Sequence, residues 1–219
     1  MVVVRKLVIL ATSAKFNNFC VAGVDIDTGE WIRPISEKLE LEEAVPLEDL
    51  KYPDGARVEL LDVVEIKFSD RAVNNPFQPE NFFYNAKYFW QKVGRVTLQE
   101  LIDERGFDLR EKIFFSDERS IFGADVEKIS ERESLLLLPV ENLFISVEQA
   151  KDHKKFFADF EYRGKKFFRF SVGDIAVRKN FEARDAGKFF LKKKSFVVFS
   201  LTNPFRADYN CYKMLAQIF

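Results

Sequence analysis

Lys154-Lys155-Phe156-Phe157-Ala158-Asp159-Phe160-Glu161-Tyr162-Arg163-Gly164-Lys165-Lys166-Phe167-Phe168-Arg169-Phe170-Ser171-Val172 reads as two alternating strands folded about one glycine. Gly164 suits the left-handed position of a three-residue hairpin loop. With that loop, Phe156, Ala158, Phe160, Phe168, Phe170 and Val172 share one face. Phe157, Asp159, Glu161, Lys165, Phe167 and Arg169 share the other. A two-residue loop would shift the register and mix the two sets.

Working outward, further strands are expected near 140–149, 195–201 and 211–219, with a basic, poorly periodic segment at 173–194. Five strands whose longest interruption falls between the third and fourth have the layout of an OB-type barrel. The first half begins the same way, with strands at 2–11, 19–27 and 30–36 and a turn at Asp27-Thr28-Gly29. Residues 37–56 are acidic, carry Pro46, Pro53 and Gly55, and read as a loop with one helical turn. Residues 57–68 read as one long strand. Thr97 and Glu100 form a capping-box pair that opens a helix ending at Gly106. Residues 107–134 show no clean period, and Pro139 marks the expected boundary. The sequence therefore predicts a mainly β chain with minor α, built of two tandem OB-like small barrels. The first barrel, 1–139, carries the larger helical and loop insertions; the second is 140–219. Phe68-Ser69 leads to Asn75-Pro76-Phe77, as Phe199-Ser200 leads to Asn203-Pro204-Phe205, a faint echo between the halves.

The chain has 219 residues, enough for two small cores. Its 25 phenylalanines against two methionines and two tryptophans favour strands. No apolar run approaches the roughly 20 residues of a membrane span. In Val2–Ala11 the charges sit inside the apolar run, which suits a first strand rather than a signal peptide. Cys20 and Cys211 lie far apart and form no CxxC pair, the pattern of a cytosolic protein with reduced thiols. Net charge is −1, but residues 1–140 carry 18 Lys+Arg against 26 Asp+Glu, and 141–219 carry 16 against 9. A basic half beside an acidic one points to an anionic partner or to mutual docking.

Several short stretches resemble a prokaryotic family of dual OB-domain proteins. They are Leu7–Ala11 with Ser13 and Lys15, Cys20-Val21-Ala22-Gly23, Gly29-Glu30-Trp31-Ile32-Arg33-Pro34, Pro79-Glu80-Asn81, Leu138-Pro139-Val140-Glu141-Asn142, Ser200–Phe205 and Cys211-Tyr212-Lys213. The Trp-Ile-Arg-Pro block is the most specific. The resemblance implies two OB-like barrels and binding of nucleic acid or nucleotides, in antiviral or genome-conflict systems. It brings no settled activity.

Three sets of residues are candidates for binding. Phe157, Lys165, Phe167 and Arg169 put aromatic rings beside positive charge, the combination that stacks bases and holds phosphates in single-strand binders. The plain alternative is that Phe157 and Phe167 pack under the first domain. Lys192, Lys193 and Lys194 extend the basic surface, or form a solvated loop. Ser13, Lys15, Trp31 and Arg33 could together hold a nucleotide, Trp and Arg around a base and Lys15 on a phosphate. Their structural alternative is a core Trp31 and an Arg33 paired with an acid such as Glu80.

Catalytic patterns mostly fail. His153 is the sole histidine, which undermines Ser-His-Asp, Cys-His and multi-His zinc sites. No Gly-rich phosphate loop exists. Asp54, Glu65 and Lys67 mimic the acid, acid-x-lysine signature of metal-dependent nucleases. An unbroken strand over 57–65 would hold Asp54 far from Glu65. The expectation is a cytoplasmic binding module for single-stranded nucleic acid or a nucleotide, with no cofactor and no membrane. The alternatives are that nuclease and a module docking on an acidic protein partner.

Overall fold

Alternating apolar residues build the first sheet. In a computed structural model, which describes residues 2–15 and 18–219, β1 (Val2–Lys15), β2 (Asn18–Asp25) and β3 (Trp31–Ile35) form an antiparallel meander. The turn between β2 and β3 is closed by Asp25 N–H donating to the Glu30 carbonyl (2.9 Å). After a short 3-10 turn at Leu39–Leu41, β4 (Asp62–Ser69) returns antiparallel to β1, and β5 (Asn81–Phe83) lies parallel to β3. A bridge from Phe68 to Tyr84 links the fourth strand back to the end of the fifth. β6 (Gln91–Arg95) extends the sheet beyond β4, and α1 (Leu98–Arg105) follows, opened by the Thr97–Glu100 capping box expected from sequence. Leu7, Ile9, Val21, Ile32, Val64, Ile66 and Phe68 point into one core with Tyr84 and Trp90. Gly23 is required in β2, because a Cβ there would lie 2.5 Å from the Val8 carbonyl oxygen.

The second unit repeats this plan. β7 (Ser120–Phe122) and α2 (Gly123–Val126) precede β8 (Leu135–Gln149), β9 (Lys154–Tyr162) and β10 (Lys165–Val172), again an antiparallel meander. α3 (Ile175–Glu182) fills the interval before the fourth strand. β11 (Gly187–Leu201) pairs with β8, and β12 (Asn210–Ile218) runs antiparallel to β11 and parallel to β10, closing the barrel. β7 adds to the free edge of β12. Asp174 ties the helix start to the last strand: Oδ1 accepts Val177 N–H (3.0 Å), while Oδ2 accepts Ile218 N–H (2.9 Å) and Gln217 Nε2 (2.6 Å). Phenylalanines supply much of the core. Phe160 stacks on Phe167 with centroids 5.4 Å apart and meets Phe170 edge-on at 5.2 Å and Phe199 at 5.3 Å. Both units thus have the five-stranded topology of the OB barrel, and the chain is mainly β as expected.

Four expectations need correction. The boundary after residue 139 falls inside β8. One compact unit runs up to Asn75 and resumes over Pro79–Gly106; the other comprises Pro76–Gln78 and Phe107–Phe219. Pro139 is tolerated because β8 pairs there only with β11, its β9 ladder starting at Glu141, so the missing N–H falls on an edge. With this division the first unit holds 13 Lys+Arg against 18 Asp+Glu, net −5, and the second 21 against 17, net +4.

Residues 57–68 are not one strand. Leu61 takes φ +67°, and the strand starts at Asp62, whose carboxylate accepts Glu59 N–H (3.1 Å) and the Tyr52 hydroxyl (2.8 Å). The basic segment 173–194, which shows no clean period in the sequence, contains α3 and the first half of β11, so Lys192, Lys193 and Lys194 stand on a strand rather than in a solvated loop.

The 154–172 hairpin turns on two residues. Arg163 (φ +50°) and Gly164 (φ +75°) connect the paired Tyr162 and Lys165, the doubly left-handed turn that suits strand twist. A bulge then sets Phe168 and Arg169 against the single residue Asp159, whose carboxylate accepts Arg169 N–H (2.8 Å). The extra residue lets Phe167 and Phe170, three apart, both face the core. Phe167 is therefore buried, and Phe168 replaces it outside.

Candidate nucleic-acid interface

On the outer face of the second barrel, β9, β10 and β12 and the β11–β12 loop enclose an open cleft of about 420 Å³. Phe157 comes from β9, Arg169 and Ser171 from β10, and Tyr212 and Met214 from β12. Thr202, Phe205 and Asp208 come from the loop, and Arg119 closes the rim. Alternation places these side chains: Ser171 pairs with Phe157 on one side and Met214 on the other, so one register row crosses three strands.

The Arg169 guanidinium lies 4.4 Å above the Phe157 ring and forks onto Glu148, whose carboxyl it holds below the ordinary range. This ion pair is exposed, so solvent screens it and it ties Arg169 down only weakly. Phe205 is 54% exposed and meets Tyr212 edge-on at 5.3 Å. Its loop is pinned by Phe205 N–H donating to the Asn210 carbonyl (3.0 Å) and Tyr212 N–H to Thr202 Oγ1 (2.9 Å). Lys213, almost wholly buried behind the cleft, donates from Nζ to the carbonyl and Oγ of Ser116, while its N–H donates to the Arg119 carbonyl. Burial pushes its ammonium down to about 7.

Of the residues singled out from sequence, Phe157 and Arg169 stand in this cleft. Phe167 does not, being core. Lys165 sits at the hairpin tip on Asp117 (2.6 Å). Lys192, Lys193 and Lys194 are exposed on β11, with Lys194 4.0 Å from Glu141. Arg119, Ser171, Tyr212 and Lys213 join the cleft without any local pattern in the sequence to single them out. Phe205 had a signal: it ends an Asn-Pro-Phe turn between the fourth and fifth strands.

In the first barrel, Ser13 is buried and pairs across strands with Cys20. Lys15 and Arg33 lie near enough to Cys20 to oppose the upward push that burial gives its thiol, and Glu43 adds to it. Arg33 is buried and donates to Asn81 Oδ1 (2.9 Å). Trp31 stands at the start of β3 with the Arg105 guanidinium 5.6 Å over its ring. The Arg33–Asn81 pair occupies the junction of third and fifth strands that the second barrel leaves to Ser171 and Met214.

Asp54 lines a separate cleft of about 460 Å³ with Tyr52, Arg57, Glu59, Gln91 and Lys92, and Glu65 is not part of it. Lys67 lies 4.1 Å over the Tyr88 ring. The distance expected between Asp54 and Glu65 rested on an unbroken strand that the turn at Leu61 interrupts. No cluster of three or more metal-ligating side chains exists among the described residues.

Two five-stranded OB barrels, one with a cleft on strands two, three and five under the loop between four and five, define a binding protein of the OB class. The chain belongs to the family described as the dual OB-containing domain, whose profile matches residues 5–218. No curated protein and no solved structure matches it.

Proposed function

We propose that the protein binds single-stranded nucleic acid through the outer cleft of its second barrel. One observation carries this: Phe157, Phe205 and Tyr212 converge with Arg169 and Arg119 on the strand-two, strand-three and loop surface that OB barrels use for oligomeric ligands. Three rings offer stacking to bases of any identity, and two guanidinium groups offer forked donors to phosphates. The +4 charge of this unit favours a polyanion. Both cysteines are free thiols, and among the described residues no helix is long and apolar enough to cross a membrane, which supports a cytoplasmic setting. Single-strand binding also fits the defence or genome-conflict setting implied by the resemblance.

The test is fluorescence anisotropy with labelled oligothymidylate and oligouridylate over a salt series, with free nucleotides as competitors. Affinity should fall steeply with salt. Arg169→Ala should flatten log affinity against log salt by about 0.7, and Phe205→Ala should cost roughly 1–3 kcal/mol. A mononucleotide that competes as well as an oligomer would assign the cleft to a nucleotide. Affinity indifferent to salt, or no binding at low salt, would refute the proposal.

A further inference from the structure

We infer that a bound strand runs beyond the cleft, across β9 and β8, to a second stacking station made by Phe144, Phe190 and Lys188; this rests on the function just proposed and names its footprint. Register supports the path. Phe157 in β9 pairs with Ser146 in β8, which pairs with Lys188 in β11. One step along the same face, Asp159 pairs with Phe144 and Phe144 with Phe190. Neighbouring strands lie about 4.8 Å apart, so the row from β12 to β11 spans roughly 19 Å of continuous outer surface.

The far end of that row has the same chemistry as the cleft. Phe190 is 57% exposed and meets Phe144 edge-on at 5.3 Å. Lys188 Nζ lies 4.9 Å over the Phe144 ring. Beside this pair, Phe144 and Lys188 line with Phe168, itself 56% exposed, a hollow of about 140 Å³, several times the roughly 10–15 Å³ that one water needs. The acids at the hollow are engaged: Asp159 by Arg169 N–H and Lys188, Glu161 by Asn142 Nδ2 (3.1 Å). Lys166 borders the hollow, and among the described residues no ion pair engages it, nor Lys192 and Lys193 on β11. Exposed rings interleaved with cations fit a base-and-phosphate polymer, whereas a protein-docking patch needs no such run of lysines.

The experiment measures affinity of the full-length protein for oligothymidylates from a dinucleotide upward. The parent should keep gaining affinity past the length that fills the cleft. Phe190→Ala should bind the shortest oligomers as the parent does and lose roughly 5- to 100-fold on the longer ones. Phe190→Trp, which keeps a stacking ring, should restore the gain, and unchanged thermal melting of both variants separates contact from folding. Oligomers that bind with affinity independent of length, or a Phe190→Ala series identical to the parent at every length, would overturn the second station and leave the cleft standing. No binding at any length by the parent would overturn both.

Discussion

Lys213→Met should invert its effect on stability between neutral and alkaline pH. Lys213 is 1% exposed and holds its ammonium among few charges: Asp117 and Glu118 favour the proton, Lys112 opposes it, and burial outweighs them, bringing the group from 10.5 to about 7. Between those values the unfolded chain carries a proton that the folded chain has released, so stability rises with pH at about 1.4 kcal/mol per unit. Below pH 7 the folded state bears the whole cost of a buried cation, on the order of 5 kcal/mol. Methionine removes that cost but leaves the Ser116 carbonyl without the Nζ donor, a loss of roughly 1–3 kcal/mol. The variant should therefore be more stable than the parent near pH 6 and less stable near pH 10, the curves crossing between.

Cys211 shapes the background. Burial raises its thiol from 9.0 to about 11, so above pH 9 the folded state keeps a proton the unfolded chain has lost, a contribution that falls with pH in both proteins and offsets the Lys213 rise in the parent. The parent should climb from pH 7 to 9 and then level. The variant should run flat and then fall. Urea denaturation at a series of pH values reads this directly. Parallel curves for parent and variant would mean that Lys213 keeps its proton throughout and that the burial argument is wrong.

Phe167→Ala should destabilise the protein by about 3–5 kcal/mol through a cavity beside Phe160 and Phe170, with a large drop in thermal melting; an unchanged melt would return Phe167 to the surface. Asp174→Ala deletes three hydrogen bonds to a buried carboxylate and should cost on the order of 3 kcal/mol, read by denaturant midpoint. Arg33→Lys should lower melting temperature and leave nucleotide affinity unchanged, because Arg33 is buried on Asn81; the reverse pattern would restore a ligand site there.

What was legible depended on whether local pattern or long-range closure set the answer. The 154–172 hairpin of β9 and β10 is legible, since alternation and a glycine turn are local signals. The Phe167–Phe168 exchange was hidden, because a bulge changes the period without any glycine or proline to mark it: Arg169 takes φ +60° and is held by Asp159 across the ladder. The first half of β11 was hidden for another reason. Gly187–Lys194 is exposed at most positions, so no apolar alternation distinguishes it from a loop; its pairing with β8 makes it a strand. Phe157 and Arg169 were found as an exposed pair on one hairpin. Phe205 and Tyr212 join them only when β12 closes beside β10, a contact no sequence window contains.

The echo of Asn75-Pro76-Phe77 in Asn203-Pro204-Phe205 acquires a meaning from topology. Each follows the fourth strand of its barrel, β4 in one and β11 in the other, where the loop to the fifth strand begins. Their fates differ. Phe205 stays out on its own barrel, edge-on to Tyr212 above the cleft. Pro76–Gln78 belong instead to the second unit, where Phe77 is edge-on to Tyr209 at 6.4 Å and Gln78 Nε2 donates to the Leu201 carbonyl (3.0 Å). The loop that in one barrel leaves its ring exposed at the cleft has in the other been committed to packing. The strand junction beneath follows suit, with Arg33 and Asn81 filling it by a buried hydrogen bond while Ser171 and Met214 leave it open. A buried donor such as Arg33 must keep its partner, since leaving it unpaired costs more than the bond itself contributes. That fixes Arg33 and Asn81 as a structural pair in the first barrel, whereas the corresponding junction of the second lines an open cleft.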